Sequence, residues 1–324
     1  MSPFGFSTTS EEIVKAFADK IKGRTFLITG TTAKGLGAQC AIALARESPA
    51  HLILVSRNKA KVDPVLEEIA RINPNVKTTF VTCELTDFDS VRAAAEKINN
   101  DPSIPKIDVV INNAGIMNVK TYTLDKQGIE LTFSADHVGH FLLTNLIMNK
   151  IIAAGPGARI VNVTSRGYGI SPFRGDDYNF SDGKAYDGWS AYGQAKTANI
   201  LYSLELSRRL ANKGVKSYAP HPGSIYTTNL ANHLDQDDFA EIAEIAKRNT
   251  GKHWDGEATL KRKDVSQGAA PLLAAALDPD FEDRPGSYIE DCQIVTPYEY
   301  ARDPEAARKL WEISEKLVGQ KFDF

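Results

Sequence analysis

Tyr192 and Lys196 are the two residues whose types and spacing most directly suggest chemistry. They lie four positions apart in a segment with helical spacing, so both side chains project from the same face of a helix. A free tyrosine has a pKa of about 10, too high for a base at neutral pH, and a nearby cation favours the tyrosinate. The pair could therefore move a proton at a substrate oxygen. Taken alone, the same spacing is also typical of a surface helix.

A glycine-rich turn follows the first apolar run of the chain and precedes a helical segment. Its glycines have the spacing Gly30-x4-Gly35-x-Gly37. Glycines allow a tight turn and a close approach of the backbone to a pyrophosphate, and the free N–H groups of the next helix favour phosphate. The candidate cofactor ligands in this turn are Gly30, Thr32, Lys34, Gly35, Leu36 and Gly37.

Two basic residues indicate which dinucleotide would bind. Arg57 follows the second apolar run, where the adenosine ribose should lie, and Lys34 stands in the glycine turn. An acid at the ribose position holds the free 2′-hydroxyl of NAD, whereas an arginine there accommodates the 2′-phosphate of NADP. None of the three residues at this position, Ser56, Arg57 and Asn58, is acidic. We therefore expect NADP(H). A solvated loop charge is the alternative for Arg57 alone, and the presence of Lys34 makes it less favoured.

The elements that must position these residues alternate between apolar runs and helical segments. Strands are expected at Thr25–Ile28, His51–Ser56, Lys77–Cys83, Ile107–Ile111, Ala158–Thr164, Lys216–Pro220 and near Ser287–Ile289. Helices are expected at Glu11–Ile21, Gly37–Glu47, Val62–Ile72, Asp89–Asn99, within Gly128–Ile152 as one long helix, and at Trp189–Asn212 and Pro304–Val318. Such alternation predicts an α/β fold, a Rossmann-like doubly wound parallel sheet with helices on both faces.

The length of 324 residues fits one large domain with additions at its ends. Residues 1–22 are expected to form an N-terminal tail and a helix capped by Ser10. Residues 23–324 are expected to form a single Rossmann-fold domain. Within it, the polar and helical segment at about 230–286 is expected to form a lid over the substrate.

Five motifs in register resemble the short-chain dehydrogenase/reductase superfamily over roughly Arg24 to Gly286. They are the glycine turn with Thr29, then Asn112-Asn113-Ala114-Gly115, Thr164-Ser165, Tyr192-x3-Lys196 and His221-Pro222-Gly223. Within the superfamily, the chain is similar to the retinol-dehydrogenase-like and WW-domain-oxidoreductase-like branch, without a WW domain. The strings that carry this closer likeness are His140-Phe141-Leu142-Leu143-Thr144-Asn145 and the segment from Ala191 to Asn199.

The resemblance implies an NADP(H)-dependent oxidoreductase that interconverts an alcohol and a ketone or aldehyde. Tyr192 would be the general acid/base, Lys196 its activator and a ligand of the nicotinamide ribose, and Ser165 the residue that stabilises the substrate oxygen. The further cofactor ligands implied by the resemblance are Glu84, Leu85, Asn113, Ala114, Gly115, Pro222, Gly223, Ile225 and Thr227.

Asp136 departs from the family pattern, because the family usually has a catalytic asparagine at that position. An ionised carboxylate would offset part of the field that Lys196 exerts on Tyr192, so we expect oxidation to need a higher pH. The same departure supports a rival hypothesis, a catalytically silent NADP-binding regulatory protein. An epimerase or dehydratase can share the Tyr–Lys pair, but those enzymes usually have another glycine spacing.

Composition excludes several other classes of function. The formal net charge of −3 argues against a nucleic-acid binder. The cysteines and histidines show no metal-ligand spacing, and the sparse cysteines are typical of a reducing compartment. The N-terminal residues lack a secretory pattern, and the longest apolar stretches are too short to cross a bilayer. We expect a cytoplasmic protein without stable membrane insertion.

The partner is expected to be a small-molecule substrate, whose identity the sequence does not give. The aromatic-rich insert Arg166–Ala191 and the lid segment should line its cleft, which favours a hydrophobic carbonyl compound. The candidate wall residues are Tyr168, Phe173, Tyr178, Trp189 and Trp254. By likeness to the family, a homodimer is also possible, through the helices at Gly128–Ile152 and Trp189–Asn212.

Overall fold

One eight-stranded sheet forms the centre of the computed structural model, which describes residues 3–225, 228–254 and 261–324. In these residues the strand order is β3-β2-β1-β4-β5-β6-β7-β8. All neighbours are parallel except β7 and β8, which are antiparallel. The strands, numbered along the chain, are Thr25–Thr29, His51–Ser56, Lys77–Thr82, Val109–Asn112, Arg159–Asn162, Lys216–His221, Tyr288–Glu290 and Gln293–Val295.

Helices cover both faces of the sheet. They are α1 Ser10–Ala16, α2 Leu36–Ala45, α3 Asp63–Ile72, α4 Phe88–Asn100, α5 Leu131–Phe133, α6 Gly139–Leu146, α7 Met148–Ile152, α8 Gly188–Arg209, α9 Gln236–Ala240, α10 Ile242–Thr250, α11 Val265–Leu277 and α12 Pro304–Val318. In β1, Leu27 packs into the core with α4, α6, α8 and α12, whereas Phe26 and Ile28 pack into the core with α1, α2, α3 and α11. Such fully buried strands are typical of parallel sheets. The predicted doubly wound α/β fold is confirmed, and the strand β8 was not predicted.

The N-terminal helix is shorter than predicted. It ends at Ala16, and a 3₁₀ turn follows at Ala18–Lys20. Thr9, not Ser10, is its N-cap, because Thr9 and Glu12 form a reciprocal capping box. The hydroxyl of Ser10 instead lies 2.9 Å from that of Ser266, which joins α1 to the start of α11.

The long helix predicted within Gly128–Ile152 is interrupted. A π-helical turn at Ser134–Val138 separates α5 from α6, and a further break at Ile147 separates α6 from α7. A π-turn holds one extra residue per turn and changes the direction in which the following side chains point. Here the turn contains Asp136, so the interruption affects the candidate catalytic site directly.

The segment 230–286 divides into two parts with different positions. Helices α9 and α10 lie beside the cleft, whereas α11 is a buried helix packed on the sheet near β5 and β6. The run Ala269–Leu277 is apolar on all sides, as expected for a helix buried in a core. The part of the predicted lid that α11 occupies is therefore core.

The C-terminal helix α12 has the predicted bounds and packs on α8 and α6. Trp311 lies edge-to-face with Phe141, with ring centroids 4.9 Å apart. The helix α8 is covered by α12, by the turn Arg166–Ile170 and by β6, and Arg208 is its only exposed residue. In this arrangement α8 has little surface free for the dimer contact that was expected through it. In the described part of the chain, no helix combines the length and apolarity needed to cross a bilayer.

Candidate active site

A cleft of about 660 Å³ opens at the carboxyl ends of the parallel strands. Ligands of open α/β sheets bind at this edge, beside the point where the strand order reverses. Most of the candidate residues line this cleft: Gly30, Thr32, Gly35, Leu36, Arg57, Glu84, Leu85, Asn113, Ala114, Gly115, Ser165, Tyr192, Lys196, Pro222, Gly223 and Ile225. Lys34, Gly37 and Asp136 are not in its lining. Thr227 lies outside the described residues.

The glycine turn has the shape that a bound pyrophosphate needs. Gly30 has a φ of 72°, and a Cβ added there would lie 2.8 Å from the Cα of Ala114. A Cβ at Gly37 would lie 2.7 Å from the carbonyl oxygen of Gly30, so this third glycine serves close packing of helix and strand. Gly35 is the N-cap residue of α2 and has no side chain to cap it, which leaves the first N–H groups of that helix for a phosphate. These residues fit a dinucleotide.

The basic residues near the adenosine end differ from the prediction. Lys34 is exposed, has a φ of 68° and does not line the cleft, whereas Arg57 does. Lys61 was not predicted, yet it also lines the cleft. Its carbonyl oxygen accepts a 3.0 Å hydrogen bond from the N–H of Ala33, which brings Lys61 beside the glycine turn. This contact spans 28 positions, so no local pattern indicates it.

Thr29 and Asn113 fix the ends of β1 and β4 against each other. The Oγ1 of Thr29 accepts hydrogen bonds from the N–H groups of Asn113 and Ala114, at 2.9 and 3.0 Å. The side-chain amide of Asn113 donates to the carbonyl oxygen of Thr29 at 2.9 Å. This network holds the glycine turn and the Asn-Asn-Ala-Gly segment together at the floor of the cleft.

His140 connects that network to the π-turn that contains Asp136, and the sequence analysis did not select it as a site residue. Its Nε2 lies 2.8 Å from the Oγ1 of Thr29, and its Nδ1 lies 3.2 Å from the carbonyl oxygen of Asp136. Because Thr29 already accepts two hydrogen bonds, its hydroxyl donates to Nε2, and Nδ1–H then donates to Asp136. Burial lowers the pKa of His140 to about 4, in keeping with this neutral form.

Tyr192 and Lys196 face the cleft from one side of α8. The Nζ of Lys196 lies 5.3 Å from the centre of the Tyr192 ring. Ser165 follows β5, and its Oγ accepts a 3.0 Å hydrogen bond from the N–H of Gly167, so that its own proton is available to donate to the hydroxyl of Tyr192. The predicted triad is therefore assembled on the described cleft.

Asp136 lies behind Lys196 and forms an ion pair with it. Its Oδ2 is 2.8 Å from the Nζ of Lys196, with 0% and 7% of the two side chains exposed. Its Oδ1 accepts a 2.8 Å hydrogen bond from the N–H of Ile116. The carboxylate is thus held on both sides, beneath the residues that line the cleft.

The charges around Tyr192 act in opposite directions on its pKa. Burial raises the pKa of Tyr192, Lys196 and a hydrogen bond with Ser165 lower it, and Asp136 raises it, with a net upward shift. Burial lowers the pKa of Lys196, whereas Asp136 and Tyr192 raise it, and the net shift of this pKa is upward. Burial also raises the pKa of Asp136, against the effect of Lys196. The lysine therefore stays charged, and its activation of the tyrosine is partly cancelled.

An apolar wall borders the cleft near Tyr192. Of the five aromatic residues proposed for it, Trp189 and Trp254 line the cleft. Tyr168 packs against Tyr288 and Tyr298, while Phe173 and Tyr178 stack on Phe133. The other apolar residues of the wall are Met117, Ile170, Phe239 and Ile242.

The model of the family described as short chain dehydrogenase matches residues 24–238. The chain belongs to the short chain dehydrogenase family. This short chain dehydrogenase is 34% identical over 330 residues to the chloroplastic short-chain dehydrogenase TIC 32 A of Brassica napus, covering 98% of this chain and 95% of the relative. It is 33% identical over 300 residues to human retinol dehydrogenase 13, covering 92% and 86%.

Solved structures show the same fold. An uncharacterized protein from Mycobacterium paratuberculosis has a TM-score of 0.69 and 30% identity, covering 95% of this short chain dehydrogenase and 98% of that chain. The NADPH-bound carbonyl reductase from chicken fatty liver has a TM-score of 0.61 and 19% identity, covering 86% and 100%, and supports the fold alone. Family membership makes the chain an oxidoreductase that acts between alcohols and carbonyl compounds with a nicotinamide dinucleotide.

Proposed function

We propose that the chain is an NADP(H)-dependent oxidoreductase that interconverts an alcohol with a ketone or aldehyde on a hydrophobic small molecule. The observation that carries this proposal is the convergence of Ser165, Tyr192 and Lys196 on the cleft that also contains the glycine turn. The glycine turn, Ser165 and the Tyr192–Lys196 pair come from three separate parts of the sequence, so a chance match to one motif would not bring them together.

In the direction of reduction, Ser165 donates a hydrogen bond to the substrate carbonyl oxygen and orients it. Tyr192 donates its proton to the same oxygen, and in oxidation its tyrosinate takes that proton back. The nicotinamide, when bound, supplies or accepts the hydride at the reacting carbon. Lys196 holds the positive charge that favours the tyrosinate, and we propose that it also binds a hydroxyl of the nicotinamide ribose when the cofactor is present.

The choice of NADP(H) rests on the basic residues at the adenosine end. Arg57 and Lys61 line the cleft there, with Glu84 as the acid beside them. A guanidinium can bind the 2′-phosphate in a bidentate way, and an ammonium contributes a point charge. The remaining family ligands, from Asn113 to Gly115 and from Pro222 to Ile225, are proposed to hold the rest of the dinucleotide.

A hydrophobic substrate is favoured by the apolar wall around Tyr192. Met117, Phe239 and Trp254 are only partly buried in this wall, and burial of their remaining apolar surface against a ligand is favourable. Several relatives are named retinol dehydrogenases, and retinol is a hydrophobic alcohol. This supports the substrate class and does not select one compound.

A second candidate function is a silent NADP-binding regulatory protein, favoured by the Asp136–Lys196 ion pair. If this pair holds the pKa of Tyr192 too high, the protein would bind the cofactor without turning it over. Intact Ser165, Tyr192 and Lys196 favour the enzyme.

The test is a screen of NADPH consumption against ketones, aldehydes and quinones, with NADH in parallel. We expect turnover of at least one hydrophobic carbonyl compound, faster with NADPH than with NADH. Faster turnover with NADH would overturn the cofactor proposal. Tight NADPH binding without turnover of any compound would favour the regulatory protein.

We also propose the cytoplasm as the location. Cys40, Cys83 and Cys292 are buried free thiols, which supports a reducing compartment. Fractionation of cells that produce the full chain tests this, and recovery in an organelle or membrane fraction would overturn it.

A further inference from the structure

Arg57 and Glu84 form an ion pair in the lining of the cleft. The Nη1 of Arg57 lies 3.2 Å from the Oε2 of Glu84. Arg57 follows β2 directly, and Glu84 follows the neighbouring strand β3, with Ser56 and Thr82 in register. The sheet therefore places the acid opposite the base at the same carboxyl edge.

Glu84 is held in this position by a second contact. Its Oε1 accepts hydrogen bonds from the hydroxyl and the N–H of Thr86, at 3.0 and 3.3 Å. This leaves Oε2 directed at Arg57. The guanidinium is the more exposed partner, since 70% of the Arg57 side chain is exposed against 35% of the Glu84 side chain. The carboxylate is thus the member of the pair that has a further contact, with Thr86.

A phosphate that binds Arg57 must compete with this carboxylate. The phosphate needs the guanidinium N–H groups that Glu84 now accepts from, and the two anions repel each other. Lys61, another basic residue of the cleft lining, adds attraction but does not remove the competition. A ligand without the 2′-phosphate neither competes with Glu84 for Arg57 nor is repelled there by the carboxylate.

We infer that Glu84 is a specificity-determining residue, which weakens binding of the 2′-phosphate by holding Arg57 and so narrows the preference for NADP(H) over NAD(H). This inference rests on the proposed NADP(H) dependence. Glu84 acts here through its charge and its reach to Arg57.

The experiment measures binding by calorimetry, with adenosine 2′,5′-bisphosphate and adenosine 5′-monophosphate as probes that differ by one phosphate. NADPH and NADH are measured in parallel by fluorescence. We expect Glu84→Gln to tighten binding of the bisphosphate and of NADPH, because the anion that competes for Arg57 is removed. The gain should be about three- to tenfold, since an exposed ion pair contributes only a small free energy. The ratio of the bisphosphate affinity to the monophosphate affinity should rise, because any contact of Glu84 with the adenosine is common to both probes and cancels in the ratio.

Three controls separate charge from shape and from general effects. Glu84→Asp keeps the charge and should stay closer to the wild type than Glu84→Gln does. Glu68→Gln removes an acid from a comparable exposed pair with Arg71 outside the cleft lining and should change nothing. In an Arg57→Gln background, the gain from Glu84→Gln should shrink, and it should also shrink as salt rises from about 0.1 M to about 1 M.

Unchanged or weaker bisphosphate binding in Glu84→Gln would overturn the inference, since Glu84 would then be neutral or would orient Arg57 for the phosphate. A full gain in the Arg57→Gln background would also overturn it. The proposed function fails separately, if the wild-type protein binds the monophosphate more tightly than the bisphosphate.

Discussion

Two buried charges of opposite sign act on Tyr192: Lys196 is beside it, and Asp136 lies behind that lysine. Lys196 lowers the pKa of the phenol, and Asp136, paired with that lysine at 2.8 Å, raises it. Asparagine at this position would keep the side-chain size and remove the charge. The departure from the family pattern therefore alters the acid/base residue through its neighbour.

We predict that Asp136→Asn lowers the pKa of Tyr192, since the contribution of Asp136 to the upward shift is lost. Alcohol oxidation requires the tyrosinate, so the rise of its pH–rate profile should move to lower pH. The measurement is the initial rate of oxidation against pH at saturating cofactor.

Asp108→Asn is the matched control, because Asp108 is also buried and paired, with Lys106 and Arg24, at the opposite end of the sheet. It should lower stability without moving the profile. A profile that stays in place or moves to higher pH in Asp136→Asn contradicts the account of this pair.

Helix α5 and the π-turn after it form the element that carries Asp136, and a buried carboxylate caps their start. Glu130 accepts hydrogen bonds from the N–H groups of Thr132 and Phe133, at 2.9 and 2.8 Å. Burial raises its pKa from 4.5 to about 7, against the effect of these hydrogen bonds. The folded state therefore binds a proton at this site more tightly than the unfolded state does.

We predict that Glu130 makes the free energy of unfolding fall as pH rises from about 4.5 through about 7, by roughly 2–3 kcal/mol. The sign follows because the folded-state pKa lies above the unfolded one, so the stability is present at low pH and is lost as the proton leaves. Urea unfolding of wild type and Glu130→Gln across this range measures it. If the free energies of unfolding of the two proteins differ by the same amount at every pH in this range, Glu130 does not have this effect.

Local sequence patterns predicted the positions of helices and strands better than the breaks within helices. The bounds of α12 and β2 were predicted correctly, since caps, proline and apolar spacing are local signals. The π-turn at Ser134–Val138 was not predicted, because helical spacing continues through it. The turn contains Asp136, whose partner Lys196 is far along the chain, so no local pattern indicates it. Lys61 and His140 were missed for the same reason, since their partners Ala33 and Thr29 are far along the chain.

At the scale of the whole molecule, α12 closes one face of the protein. Trp311 is buried with Phe141 and Tyr202, and the guanidinium of Arg209 lies 4.1 Å from the centre of its ring. Ser314 lies 2.9 Å from the Nε2 of His137, the residue after Asp136. The C-terminal helix thus supports the π-turn as well as covering α8.

We predict that Trp311→Ala lowers the free energy of unfolding by about 3–5 kcal/mol, because a large cavity is left under α12. Urea unfolding measures this loss. Glu312→Ala, at an exposed position of the same helix, should change stability by less than about 0.5 kcal/mol. An equal effect of the two substitutions would show that α12 does not support the core in this way.

We propose above all that Tyr192 transfers the proton in an NADPH-dependent reduction. The most direct test is Tyr192→Phe, which removes one hydroxyl and keeps the ring that packs against Trp189. With the best carbonyl substrate from the screen, we predict that kcat falls by about 10²- to 10⁴-fold, while the Kd for NADPH stays within about threefold. Unchanged turnover in this variant would contradict the account.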